Sequence, residues 1–98
     1  MYKLSELAAE DFAGIYEYSL LNFGLQQAEH YTENLESALL LLSESPLLGR
    51  DVSNILVGVR RQEFESHSIF YRERASDILI LRILHQNMDV IRHQFGAE

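Results

Sequence analysis

The spacing of apolar positions changes halfway along the chain, which divides it into a helical half and a strand half. In residues 5–22 and 25–43, apolar side chains recur at the three- and four-residue intervals of helices with one buried face. Asp11 and Ser19 interrupt the first of these stripes. Ser5 suits the N-cap of the first helix, and Gly24 suits a tight link to the second. We therefore predict an antiparallel helical hairpin.

The strand-like segments are shorter. Residues 1–4 and 55–62 alternate in part between apolar and polar positions, as strands with one buried face do. Residues 66–85 hold two apolar runs around a polar turn near Ala75, which predicts a β-hairpin. The order β-α-α-β-β-β predicts an α+β fold: an N-terminal strand and a two-helix hairpin packed on one face of a mainly antiparallel sheet.

The predicted strand pairing separates the side chains of the sheet into two faces. Turns centred near Ala75 and Glu65 place Phe70 opposite both Ile80 and Arg60. The face expected under the helices is apolar and holds Val59, Ile69, Tyr71, Leu79, Leu81 and Ile83. The other face is mixed and holds Arg60, Gln62, Ser68, Phe70, Arg72, Ile78, Ile80, Arg82 and Leu84.

The mixed face has two interpretations. It is either an ordinary solvated face, shielded by arginine stems, or a docking surface for a partner segment with apolar and acidic residues. We favour docking because its apolar side chains are large and adjacent.

Composition predicts a single domain without disulfides. The chain has 98 residues, of which 47% are hydrophobic, and we expect one domain over residues 1–98 with a polar tail at 86–98. It has no cysteine, no apolar run as long as a membrane span and no signal-peptide pattern. We expect a cytoplasmic protein without a cofactor or metal.

The charge is unevenly distributed. The net charge of −7 argues against direct nucleic-acid binding, in which contacts with phosphates supply most of the affinity. Before Arg50 the only basic residue is Lys3, against eight acidic ones, whereas arginines and acidic residues balance afterwards. We interpret the acidic pairs Glu10–Asp11 and Glu63/Glu65 as solvated surface or turn.

A set of motifs, in a fixed order along the chain, resembles one known family. They are Tyr2-Lys3-Leu4-Ser5, Ile15-Tyr16-x-Tyr18, Phe23-Gly24-x-x-Gln27-Ala28, Ser45-Pro46-x-Leu48-Gly49-Arg50, Gly58-Val59-Arg60, His67-x-Ile69-Phe70-Tyr71-Arg72 and Arg82-Ile83-Leu84-His85-x-x-Met88-Asp89-x-x-Arg92-His93. Together they resemble ParE-type toxins, the plasmid-stabilisation branch of the RelE/ParE superfamily of bacterial toxin–antitoxin systems. The resemblance implies a toxin that inhibits DNA gyrase and forms a hetero-oligomer with a ParD-like antitoxin.

The resemblance and the mixed face together predict the residues that bind antitoxin or target. These are Arg60, Phe70, Arg72, Ile80, Arg82, His85, Met88 and Arg92.

The related RelE toxins cut mRNA on the ribosome, but Glu63 stands where they carry an arginine. A second such position falls near Asn87, and Lys3 is the only lysine. We therefore predict inhibition by binding. The alternatives are a RelE-type ribonuclease that uses His85, and a non-toxic binding protein of the same fold.

Overall fold

A five-stranded sheet carries the helical hairpin on one of its faces. The computed structural model describes residues 1–86. The elements in chain order are β1 (Tyr2–Leu4), α1 (Glu6–Phe23), α2 (Leu25–Glu44), β2 (Arg50–Asp51), β3 (Arg60–Phe64), β4 (His67–Glu73) and β5 (Ile78–His85). The strand order is β1-β5-β4-β3-β2, with β1 parallel to β5 and the other pairs antiparallel. The predicted α+β fold is confirmed.

The helices form where the apolar stripes predict them. Ser5 caps α1, because its hydroxyl accepts a hydrogen bond from the Ala8 amide at 3.0 Å. Gly24 alone links the helices, with a φ of 91° that is strained for residues other than glycine. A link of one residue turns α2 back along α1, so both helices present their apolar stripes to the same sheet face.

The main core lies between the helices and this sheet face. Each buried aliphatic side chain there contributes about 1.5–3 kcal/mol of stability, so the cluster holds the hairpin firmly on the sheet. Its buried members are Ala8, Ile15, Leu35, Leu39, Leu42, Ile69, Tyr71, Ile78, Ile80 and Ile83.

The predicted faces of β5 are wrong for its first four residues. Glu73 pairs with Ile78, so Tyr71 lies opposite Ile80, one residue from the predicted register. A one-residue slip exchanges the two faces of a strand. Ile78 and Ile80 therefore lie under the helices, whereas Leu79 and Leu81 lie on the other face.

A β-bulge restores the predicted faces in the second half of β5. The register changes between Phe70, which pairs with Arg82, and Tyr71, which pairs with Ile80, so Leu81 is the extra residue. Beyond it, Ile83 faces the helices and Leu84 faces away, as predicted.

The predicted faces of β3 are also wrong, because its register with β4 differs by one residue from the predicted one. The turn between β3 and β4 has two residues, Glu65 and Ser66, and Glu65 adopts a positive φ of 51°. Arg61 therefore lies opposite Phe70, and Arg60 lies opposite Tyr71. Arg60 is thus absent from the predicted mixed face.

The mixed face has its own cover within the chain. Phe70 belongs to a second buried cluster with Val52 and Val59, which lie outside the strands. The amide of Val52 donates to the Val59 carbonyl at 2.9 Å, which closes the intervening loop. The buried cluster also contains Leu79, Leu81 and Leu84. The apolar centre of the mixed face is therefore buried inside the protein. The prediction that Val59 lies under the helices is wrong, because Val59 belongs to this second cluster.

Candidate functional site

In the described part of the chain, a groove of about 720 Å³ lies between the helical hairpin and the sheet. One wall is α1, with the beginning of α2, and the other wall is formed by β5 and the start of β4. The residues that line it are Glu10, Asp11, Gly14, Ile15, Tyr18, Ser19, Phe23, Gln27, Tyr31, Ser66, His67, Arg82, Ile83, Leu84 and His85.

An ion pair joins the two walls. Asp11 Oδ2 accepts a hydrogen bond from Arg82 Nε at 2.7 Å, and Oδ1 accepts one from Nη2 at 2.9 Å. Both side chains are largely buried, with 14% of Asp11 and 13% of Arg82 exposed. The hydrogen bond from Arg82 to Asp11 raises the pKa of the guanidinium, so its positive charge is retained.

The same carboxylate also completes the backbone hydrogen bonding of the bulge. The pairing of β1 with β5 ends at Leu4, so the next polar groups of β5 need other partners. The Ser5 hydroxyl donates to the Leu81 carbonyl at 2.9 Å, and Asp11 accepts from the Ile83 amide at 3.0 Å. The first turns of α1 therefore replace a neighbouring strand along this part of β5.

Aromatic rings and imidazoles form the far end of the groove. The Tyr31 hydroxyl is hydrogen-bonded to Nδ1 of His67 at 2.7 Å, and Phe64 lies edge-on to the Tyr31 ring. The rings of His67 and His85 meet edge to face with centroids 5.5 Å apart. Burial lowers the pKa of His67, and His85 lowers it further, although Asp11 opposes the change. His67 is therefore neutral near pH 7.

Acid is expected to destabilise the fold through His67. Its pKa when folded lies below the unfolded value of 6.5, so the unfolded chain binds this proton more readily. The stabilisation is complete above about pH 7 and is lost as the pH falls through 6.5 towards the folded pKa.

Urea unfolding between pH 8 and pH 5 measures this loss. The variant His67→Gln should lose less stability on acidification than the wild type, since the other histidines are common to both. Equal pH dependence of the two proteins would contradict the assignment to His67.

The structure separates the predicted binding residues. Arg82 and His85 both line the groove. Ile80 is fully buried under the helices, and Phe70 is buried in the second cluster with the Arg61 guanidinium 5.3 Å from its ring centre.

The remaining predicted residues lie elsewhere. Arg60 donates from Nη1 to the Gly49 carbonyl at 2.7 Å and supports the loop before β2. Arg72 is half-exposed on β4. Met88 and Arg92 lie outside the described residues.

Sequence reasoning misplaced Asp11 and overlooked Tyr31 and His67. The interpretation of Asp11 as solvated surface is wrong, although its position on the apolar stripe of α1 was a usable signal. Nothing local to Tyr31 or His67 indicates their contact, because 36 positions separate them in the chain.

Glu63, by contrast, is part of a surface network. Partial burial opposes ionisation of Glu63, but hydrogen bonds from Ser68 and Arg61 outweigh it and lower the pKa of the carboxyl. Within residues 1–86, no three His, Cys, Asp or Glu side chains are grouped so as to hold a metal ion. In the same range, no helix has the length and apolar character needed to cross a membrane.

Known proteins are similar to this chain over nearly its whole length. Toxin ParE1 of Caulobacter vibrioides is 35% identical over 92 residues, which cover 94% of this chain and 95% of that protein. Toxin ParE1 of Mycobacterium tuberculosis is 33% identical, with shares of 94% and 95%. Toxin ParE of Escherichia coli is 30% identical, with shares of 92% and 88%.

Comparison of folds and of family patterns agrees with these relatives. A solved structure described as a chromosomal ParDE TA system from P. aeruginosa superposes with a TM-score of 0.74 at 25% identity, covering 86% of this chain and 92% of that one. The family model for the ParE toxin of type II toxin-antitoxin system, parDE, matches residues 2–90. The chain therefore belongs to the ParE toxin family of type II toxin–antitoxin systems.

Proposed function

We propose that this toxin inhibits DNA gyrase by binding it in the cytoplasm, and that a ParD-like antitoxin neutralises the toxin by forming a complex with it. The observation that carries the proposal is the family match across residues 2–90, together with relatives named Toxin ParE in three genera. The described part of the fold contributes a groove and a charged surface, which are features that bind a protein partner.

Action by binding fits the groove better than RNA cleavage does. A ribonuclease of the RelE type needs cations at the scissile phosphate, and Arg82 is the cationic side chain among the lining residues. Asp11 holds that guanidinium through two hydrogen bonds, which neutralises much of its field. Glu63 adds a negative charge where RelE-type toxins carry an arginine, as the resemblance implies.

The RelE-type alternative rests on one feature of the groove. His67 and His85 are adjacent, and a neutral imidazole is a capable general base near pH 7. Cleavage of transcripts on induction would favour this alternative.

Contacts with the antitoxin or the target come, in this proposal, from the predicted residues that are not buried. Arg60, Arg72, Arg82 and His85 are partly exposed and supply charge and hydrogen-bond donors. Met88 and Arg92 complete the predicted set. Phe70 and Ile80 support this surface from within the core.

A supercoiling assay tests the proposal. Purified toxin in excess is expected to abolish negative supercoiling by gyrase of the source organism, because bound enzyme cannot complete strand passage. Two controls apply: heat-denatured toxin, and toxin mixed beforehand with one equivalent of its ParD-like antitoxin, should leave supercoiling unchanged.

The same protein is then induced in cells without antitoxin, and growth and transcript integrity are followed. Full gyrase activity at excess toxin with intact transcripts and normal growth would contradict toxicity altogether. Growth arrest with cleaved transcripts and unaffected gyrase would contradict gyrase inhibition and support the RelE-type alternative, in which the toxin cuts mRNA on the ribosome.

A further inference from the structure

His67 and His85 lie side by side on neighbouring strands at the far end of the groove. They are direct cross-strand partners in the β4–β5 ladder. The Gln86 amide donates to the Ser66 carbonyl at 2.8 Å, so that position of the ladder is hydrogen-bonded and the next one, His67 with His85, is not. Side chains approach each other most closely at positions of this second kind. The backbone of the sheet therefore brings the two imidazoles together.

The separation of the two rings suits a shared metal ion. Zinc binds an imidazole nitrogen at about 2.0–2.1 Å, so two imidazoles on one tetrahedral ion have ring centres about 5 Å apart. The ring centres of His67 and His85 are 5.5 Å apart, with the planes inclined at 79°. His85 is half-exposed, and its torsion about the Cβ–Cγ bond is soft. A turn about that bond aims a ring nitrogen of His85 at the ion and hardly moves the ring centre.

Tyr31 orients the other ligand. Its hydroxyl is hydrogen-bonded to Nδ1 of His67 at 2.7 Å, which leaves Nε2 as the nitrogen for a metal. Histidines that bind a metal commonly donate their other ring N–H to an oxygen, which fixes the ring and makes it a better ligand. Phe64 packs edge-on against Tyr31 and holds it in place. Burial lowers the pKa of His67, so the ring is neutral near pH 7, as metal binding requires.

The electrostatic surroundings favour a cation. Before Arg50 the chain has eight acidic residues and a single basic one, Lys3. Glu10 and Asp11 line the same groove as the two histidines. Arg82 also lines it, but its guanidinium is joined to Asp11 by two hydrogen bonds, which neutralises much of its field. A cleft lined by negative charge concentrates cations from solution.

We propose that His67 and His85 bind a transition-metal dication of the zinc class at the far end of the groove. His67 contributes Nε2 and His85 contributes one ring nitrogen. Water occupies the other positions, because no third His, Cys, Asp or Glu within residues 1–86 completes the group. Two protein ligands are fewer than the three or four of a permanent zinc site, so the ion is exchangeable. Imidazoles suit zinc, copper and nickel, whereas magnesium and calcium prefer oxygen ligands.

Calorimetric titration of the full chain with Zn²⁺ near neutral pH tests the site. The wild type should bind one Zn²⁺ saturably and should not bind Mg²⁺. His67→Gln and His85→Gln should each weaken Zn²⁺ binding about tenfold or more, because each removes one of two ligands. His30→Gln removes an exposed imidazole of α2 and should leave the affinity unchanged. Equal effects of the three variants, or no saturable binding by the wild type, would overturn the proposal.

Two tyrosine variants test the orienting role of Tyr31. Tyr31→Phe retains the ring against Phe64 but removes the oxygen bonded to His67, and should weaken Zn²⁺ binding about tenfold. Tyr18→Phe removes the hydroxyl of an exposed tyrosine of the same groove and should leave the affinity unchanged. Thermal unfolding without metal verifies that the variants fold. Equal affinities of the two tyrosine variants would contradict the orienting contact.

Nuclear magnetic resonance of the wild-type chain locates the ion without any substitution. Addition of Zn²⁺ should shift the imidazole signals of His67 and His85 and leave that of His30 in place. A shift of His30 alone, or of no imidazole, would overturn the proposal. None of these measurements contains gyrase, so their outcome is independent of gyrase inhibition.

Discussion

Replacing Asp11 with alanine is expected to destabilise the fold by about 3–5 kcal/mol, the range for removing one partner of a buried ion pair. The change leaves the largely buried Arg82 guanidinium without its carboxylate and the Ile83 amide without its acceptor. Unsatisfied buried groups of this kind account for most of the loss. Urea unfolding at neutral pH measures it.

Three variants separate the contributions. Asp11→Asn retains one acceptor oxygen and should lose less than Asp11→Ala. Arg82→Met removes the charge that Asp11→Ala leaves unpaired. The double variant Asp11→Ala/Arg82→Met should therefore lose less free energy of unfolding than the two single variants lose when their losses are added. Glu10→Ala changes the adjacent exposed carboxylate and should fall within about 0.5 kcal/mol of the wild type. A loss below about 1 kcal/mol for Asp11→Ala would contradict the importance of the pair.

Gly49→Ala is expected to destabilise the fold by about 2–4 kcal/mol through a clash and a strained hydrogen bond. A Cβ at Gly49 would lie 2.5 Å from the Tyr71 hydroxyl and 2.8 Å from ring atom Cε1. Tyr71 is fully buried and cannot move aside. Its hydroxyl accepts from the Gly49 amide at 2.9 Å and donates to the Pro46 carbonyl at 2.7 Å. The change in the free energy of unfolding measures the effect.

Two controls distinguish the clash from the lost hydrogen bonds. Gly14→Ala places the same methyl group in open space on a helix, and it should stabilise the fold by about 1 kcal/mol. Tyr71→Phe removes the hydroxyl without adding bulk and should cost about 1–3 kcal/mol, because two backbone groups lose their partner. If Gly49→Ala were as stable as the wild type, the close approach of Gly49 to Tyr71 would be refuted.

The elements of this fold follow from local patterns. The apolar stripes, the cap at Ser5 and the link at Gly24 depend on neighbours within one or two helical turns, so the sequence alone predicts both helices closely. The two apolar runs around Ala75 likewise predict the β4–β5 hairpin. Residues that act through such short separations can be assigned without knowing the rest of the chain.

The sequence does not predict correctly which side chains lie on which face of the sheet. Strand side chains alternate with a period of two, so one residue in a turn or bulge exchanges the faces. The continuous apolar run of β5 satisfies either register, and only the combined packing of helices and loop selects the one that buries Ile78 and Ile80 under the helices. The register of β3 likewise depends on the length of its turn, which places Arg60 opposite Tyr71 in the sheet. From there Arg60 donates a hydrogen bond to the Gly49 carbonyl.

The groove itself exists only in the tertiary structure. Asp11 and Arg82 are 71 positions apart, and they meet because the bulge at Leu81 needs acceptors and donors that α1 supplies. Tyr31 and His67 are joined by the packing of α2 on β4. The sequence by itself therefore determined both helices, the β4–β5 hairpin, the family resemblance and the acidic character of the helical hairpin, whereas the predicted strand at 55–62 overlaps β3 only at residues 60–62 and β2 was not predicted. The folded structure decided which sheet face is filled and where the groove lies, because both depend on one-residue register and on contacts between distant segments.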